Sequence, residues 1–63
     1  MKVGDLVKHR LNHTYVDRDY LKSWVGIVLD FDPDGDPCVQ WYDNGVALYD
    51  TPTWEFKTAV KKI

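Results

Sequence analysis

Apolar and polar residues alternate along this chain in short runs, and a period of two sustained over about four to eight residues marks strands with one buried face. The clearest run is Trp24-Val25-Gly26-Ile27-Val28-Leu29-Asp30-Phe31, where Val25, Ile27, Leu29 and Phe31 form an apolar row assigned to the core. Gly26 then falls on the opposite face, where a missing side chain permits a bulge, a bend or the close approach of another backbone. A second pattern runs from Cys38 to Asp50 and is interrupted at Asn44-Gly45, the dipeptide best suited to a tight hairpin turn. A two-residue turn there pairs Asp43 with Val46, Tyr42 with Ala47, Trp41 with Leu48, Gln40 with Tyr49 and Val39 with Asp50. Trp41 and Leu48 share the core face of that hairpin, and Gln40, Tyr42, Ala47 and Tyr49 share the outer one.

Flanking segments complete an all-β reading. Val3-Gly4-Asp5-Leu6-Val7-Lys8-His9 predicts a first strand entered through a Gly-Asp turn, with Val3 and Val7 inward and Lys8 outward. Arg10 to Ser23 is polar and aperiodic, which predicts a long loop with one helical turn over Asp17 to Lys22; loops of this length are often functional. Asp32-Pro33-Asp34-Gly35-Asp36-Pro37 turns the chain between strands. Thr51-Pro52-Thr53-Trp54-Glu55-Phe56 places a capping Thr before a Pro suited to a first helical position, predicting a single 3-10 or helical turn. A last strand follows over Thr58-Ala59-Val60-Lys61-Lys62-Ile63, giving five short strands in one domain, 1–63.

Chain length changes how this pattern must be used. A domain of 63 residues buries only about 60% of its unfolded surface, which favours a closed barrel or an oligomer and makes any site shallow. The single Cys38 allows no intramolecular disulfide. No run approaches the roughly 18 apolar residues of a membrane span, and Met1-Lys2-Val3-Gly4-Asp5 lacks the apolar region of a secretory signal, so the expectation is a cytoplasmic protein without membrane contact.

A net charge of −2 and a pI near 5.4 argue against general nucleic-acid binding, which needs a basic surface. Lys and Arg are absent between Ser23 and Phe56, where Asp30, Asp32, Asp34, Asp36, Asp43, Asp50 and Glu55 all fall. Lys2, Lys8, Arg10, Arg18, Lys22, Lys57, Lys61 and Lys62 occupy the two ends. If first and last strands are neighbours, their lysines gather on one side, a polarity suited to contact with further copies of the chain or a larger assembly.

Candidate chemistry is sparse. Asp30, Asp32, Asp34 and Asp36, with Gly35 at relative position six, overlap the start of an EF-hand calcium loop. The match then fails, because position twelve is Trp41 rather than Glu and Pro33 stiffens the loop. His9, His13 and Cys38 are too few for a structural zinc site, and their spacing lies in a strand and loop. The chain has no Gly-rich phosphate loop, a single serine, Ser23, and no carboxylate pair on rigid elements, so neither catalysis nor a cofactor is expected. Aromatics are the richer signal. Trp41, Phe31 and one of Trp54 or Phe56 are expected to fill the core. Tyr42 and Tyr49, outward beside acidic residues, with Trp24 and Trp54, are the candidate binding residues for a basic peptide or another cation.

Three segments carry a family resemblance: the opening Val3-Gly4-Asp5-Leu6-Val7, the strand start Val25-Gly26-Ile27-Val28, and Val39-Gln40-Trp41-Tyr42-Asp43-Asn44-Gly45. With the five-strand order, they resemble the SH3-like barrel across nearly the whole chain. In detail the chain looks like small stand-alone SH3-like proteins of tailed phages and environmental sequence collections, whose function is mostly unassigned. A looser likeness runs to KOW and Tudor domains, which bind nucleic acid or modified residues, and to SH3-like accessory subunits of redox complexes. The resemblance implies a small five-stranded SH3-like barrel and a non-enzymatic interaction or assembly module. Its partner would be a protein or a second copy, in the host cytosol or the virion. A fold shared by so many functions transfers no site residue.

Overall fold

A computed structural model describes residues 1–10 and 22–63 and shows an all-β protein. Its strands are β1 (Leu6–His9), β2 (Trp24–Phe31), β3 (Pro37–Asp43), β4 (Val46–Ala47), β5 (Thr53–Trp54) and β6 (Val60–Lys62). They form one antiparallel sheet in the order β4-β3-β2-β1-β6, with β5 also paired to β3. The strand β6 thus returns beside β1, with Val7 opposite Lys62 and His9 opposite Val60. Nearly all of the predicted loop 10–23, including all but Lys22 of the helical turn expected at 17–22, lies outside the described residues.

The Asn44-Gly45 turn forms as its residues dictate. Asn44 and Gly45 have φ of +52° and +82°, and the positive values at both central positions match the right-handed twist of the flanking strands. Asp43 faces Val46 and Tyr42 faces Ala47 as expected. The Leu48 N–H still donates to the Trp41 carbonyl, and Gln40 Nε2 donates to the Tyr49 carbonyl. Beyond that point the chain detours and returns as β5, so Val39 faces Thr53 rather than Asp50. The expected fourth strand is therefore cut short to Val46–Ala47, and with β5 added the sheet has six strands instead of five. The expected helical turn over 51–56 is replaced by β5, because these residues hydrogen-bond to β3: the Glu55 N–H donates to the Pro37 carbonyl. The chain then reverses at 56–59, where the Ala59 N–H donates to the Phe56 carbonyl.

The second strand reverses the expected faces. Phe31 faces Pro37 and Asp30 faces Cys38, but a bulge at Leu29 shifts the register, so that Val28 faces Val39 and Gly26 faces Trp41. One inserted residue flips every side chain upstream of it. Trp24, Gly26 and Val28 therefore point inward with Phe31. Val25 and Ile27 point outward, and Leu29, the bulged residue, is exposed. The core comprises Val7, Val28, Val39, Trp41 and Val60, with Trp24, Phe31 and Leu48 packed against it. Val3, expected inside, is exposed, because the first strand begins only at Leu6. Trp54 and Phe56, one of which was expected inside, are both exposed; β5 turns Thr53 and Glu55 inward instead.

Asp5 is buried at the edge of the core, and the Lys2 N–H reaches its Oδ2 at 2.8 Å while Lys62 lies 3.8 Å from Oδ1. Lys8 and Lys61 are cross-strand neighbours, as the pairing of first and last strands implies. Lys57 departs from that basic side: its Nζ donates to the Asp34 carbonyl at 3.0 Å, in the acidic turn. No helix among the described residues is long and apolar enough to cross a membrane.

Candidate functional site

A buried tryptophan dictates the surroundings of the inner face. Trp41 is 1% exposed, and its indole N–H would be stranded without an acceptor. Glu55 supplies one: Trp41 Nε1 donates to Glu55 Oε2 at 3.2 Å, and Thr53 Oγ1 donates to the same oxygen at 2.6 Å. This demand explains why Thr53 of β5 and Glu55 just after it face inward while Trp54 and Phe56 face out.

Around Trp41 the sheet gathers further rings. The His9 imidazole stacks on the indole with centroids 4.0 Å apart and planes 9° apart. Trp24 lies 6.3 Å from Trp41 and 5.9 Å from His9, tilted to both. Tyr49 meets Trp24 edge-on at 6.1 Å. The cluster grades from a buried Trp41 through a half-buried Trp24 to Tyr49, which is 46% exposed. Asp43 joins it from β3. It is two residues beyond Trp41, hence on the same face, and directly opposite Trp24. Its Oδ1 is enclosed and has no hydrogen-bond partner among the described residues.

The four predicted binding residues are thus dispersed. Trp24 and Tyr49 come together at the inner-face cluster. Tyr42 stands on the other face opposite Val25 and Ala47, because β3 keeps its alternation, whereas Tyr49 lies past the last ladder pair and escapes it. Trp54 is on the outer face opposite Cys38. Asp43 and His9, which also belong to the cluster, were not among the predicted binding residues. The signal for both was the strand period itself, since Asp43 shares parity with Trp41, and His9 with Val7.

Cys38 and His9 lie on opposite faces of the sheet, so they make no nucleophile-base pair. Burial pushes the Cys38 thiol above its ordinary range, and the neighbouring Asp30 carboxylate adds to the effect. The reactive thiolate is disfavoured at neutral pH. Cys38 is expected to react with iodoacetamide at pH 8 several-fold more slowly than a cysteine in a short peptide, with the difference vanishing in denaturant. Equal rates in the folded protein would contradict the shielding.

In the acidic turn, internal donors occupy one carboxylate oxygen each of Asp32 and Asp36. Asp32 Oδ1 accepts from the N–H groups of Asp34 and Asp36, both at 2.9 Å, and Asp36 Oδ1 accepts from the Lys57 N–H at 2.9 Å. With the Lys57 ammonium against the Asp34 carbonyl, this is a self-clasped turn. Among the described residues no group of three or more His, Cys, Asp or Glu is placed to hold a metal; His13 lies outside them. Comparison with family models, with curated proteins and with solved structures finds no match to this chain.

Proposed function

We propose that this protein is a non-enzymatic interaction module of the SH3-like type, related to the small stand-alone barrels of tailed phages, and that it engages a protein partner through the cluster of Trp24 and Tyr49. The SH3-like reading is supported by the strand path, in which β1, β2 and β3 follow one another, β4 and β5 share the far edge of β3, and β6 closes beside β1. The observation that carries the function is the graded ring cluster: Trp41 and His9 lie tilted against Trp24, and Tyr49 meets it edge-on with nearly half its surface in solvent. Aromatic side chains held by a rigid sheet offer contact area with little entropy left to lose on binding.

Selection from a random peptide display library tests the proposal. Binders are expected whose retention is lost with Tyr49→Ala, while Tyr42→Ala leaves it intact, both variants keeping the wild-type thermal midpoint. Recovery of no binder, or of binders indifferent to Tyr49, would refute this assignment of the surface.

A further inference from the structure

We propose that the outer face of the sheet is covered by a second copy of this chain, in a two-fold, face-to-face dimer. Strand alternation builds this face in three levels. The middle level is apolar. Leu6 is paired with Ile27, and the Ile63 N–H donates to the Leu6 carbonyl, so Ile63, Leu6 and Ile27 lie side by side across three chain segments. Leu6 is 46% and Ile63 63% exposed, and Leu29, 45% exposed at the bulge, extends the stripe along β2. Neighbouring aliphatic side chains exposed to this degree mark a surface that is covered in use.

Charge decides the occupant. On one side of the stripe Lys8 and Lys61 face each other across β1 and β6. On the other side Asp30, Cys38 and Trp54 form a row across β2, β3 and β5. Lys61 and Asp30 make no ion pair among the described residues, and Lys8 Nζ donates to a neutral acceptor, the Lys22 carbonyl. Turning a second copy over about an axis along the stripe sets its lysine level above the Asp30 level of the first, and symmetry repeats the contact. Apolar stripe then meets apolar stripe. Trp54, 56% exposed, comes against Ala47, which lies at the lysine level of the other copy. Opposite charges on either side of an apolar centre make the face complementary to itself, which is what an isologous contact requires. The core gives a reason for the contact. It consists of Val7, Val28, Val39, Trp41 and Val60, and a chain of this length gains stability by covering a second apolar layer. The ring cluster belongs to the inner face, so the two surfaces are separate.

Sedimentation equilibrium of the full chain, from about 5 μM to about 1 mM, tests the proposal, with a dimer dissociation constant in the micromolar range expected. Leu6→Lys enters the interface twice and should raise that constant at least about thirtyfold. Lys61→Glu and Asp30→Lys should each raise it roughly tenfold, whereas the two together exchange the charges and should restore the dimer. Circular dichroism of the variants is expected to match wild type; should Leu6→Lys fail to fold, Ile63→Lys takes its place. Dilution of labelled protein is expected to move the Trp54 indole N–H signal and leave that of Trp41 in place. A monomer throughout the range, or a dimer indifferent both to the apolar substitution and to the charge exchange, would overturn the proposal.

Discussion

Gly26→Ala is expected to lower stability by about 3 kcal/mol, and Gly26→Val to abolish folding. A Cβ added at this position falls on Val39 Cγ1 and lies 3.0 Å from both Cε3 and Cζ3 of Trp41. Neither neighbour can withdraw, since Val39 is 0% and Trp41 1% exposed. Local propensity pulls the other way, because alanine loses less backbone entropy than glycine by roughly 0.5–1 kcal/mol. Overpacking of a closed core, about 1–3 kcal/mol and sometimes more, outweighs it. At about 0.05–0.15 kcal/mol per residue, a chain of 63 residues has only a few kcal/mol in total, so the effect is a large fraction of the whole. Urea unfolding followed by tryptophan fluorescence measures it. The clash has a specific partner, so Gly26→Ala with Val39→Ala should be less damaging than the two changes summed, by at least about 1 kcal/mol. Strict additivity would show that the strain is not between these two side chains.

Glu55→Leu is expected to destabilise by about 2 kcal/mol, despite replacing a half-buried acid with an apolar residue of similar size. The change leaves the Trp41 indole N–H and the Thr53 hydroxyl without their shared acceptor, at 3.2 Å and 2.6 Å respectively. A buried donor left unpaired costs about 1–3 kcal/mol, more than burial of an isolated leucine at the sheet edge recovers. Glu55→Gln retains a carbonyl oxygen and should lose less than half as much. The pairing also predicts that Trp41→Phe and Glu55→Leu together cost less than their sum, because phenylalanine makes no demand for an acceptor. Equal stabilities for wild type and Glu55→Leu would mean that solvent replaces the carboxylate.

How much of this was legible in the residues depends on which interactions decided each element. The Asn44-Gly45 turn and its first pairs are local, set by the φ preferences of two adjacent residues, and the chain states them openly. The faces of β2 were not legible from period alone, because Trp24-Val25-Gly26-Ile27-Val28 is apolar on both faces. The decision lay in a bulge at Leu29, a tertiary adjustment that lets Phe31 and Val28 both reach the core although three positions separate them. Segment 51–56 misled in the opposite way. Thr51 and Pro52 are valid helix-start signals, but a single helical turn is marginal by itself, and pairing with Cys38 and Val39 outweighs it. The candidate site was half visible: Trp24 and Tyr49 were named, but their partner Asp43 emerges only once strand parity and the unpaired oxygen are seen together.

The seam between β1 and β6 governs the order in which this molecule can assemble. It joins residues about fifty positions apart, with the Arg10 Nε–H on the Val60 carbonyl and the Ile63 N–H on the Leu6 carbonyl. Neighbouring strands β2 and β3, by contrast, close through a turn of a few residues. Loop-closure entropy makes the short hairpin the early event and the seam the late one. On a ribosome, β1 emerges first yet has only β2 to hold it until Val60 is made. Completion of the sheet therefore waits for β6, and until that strand docks β1 presents an unpaired edge.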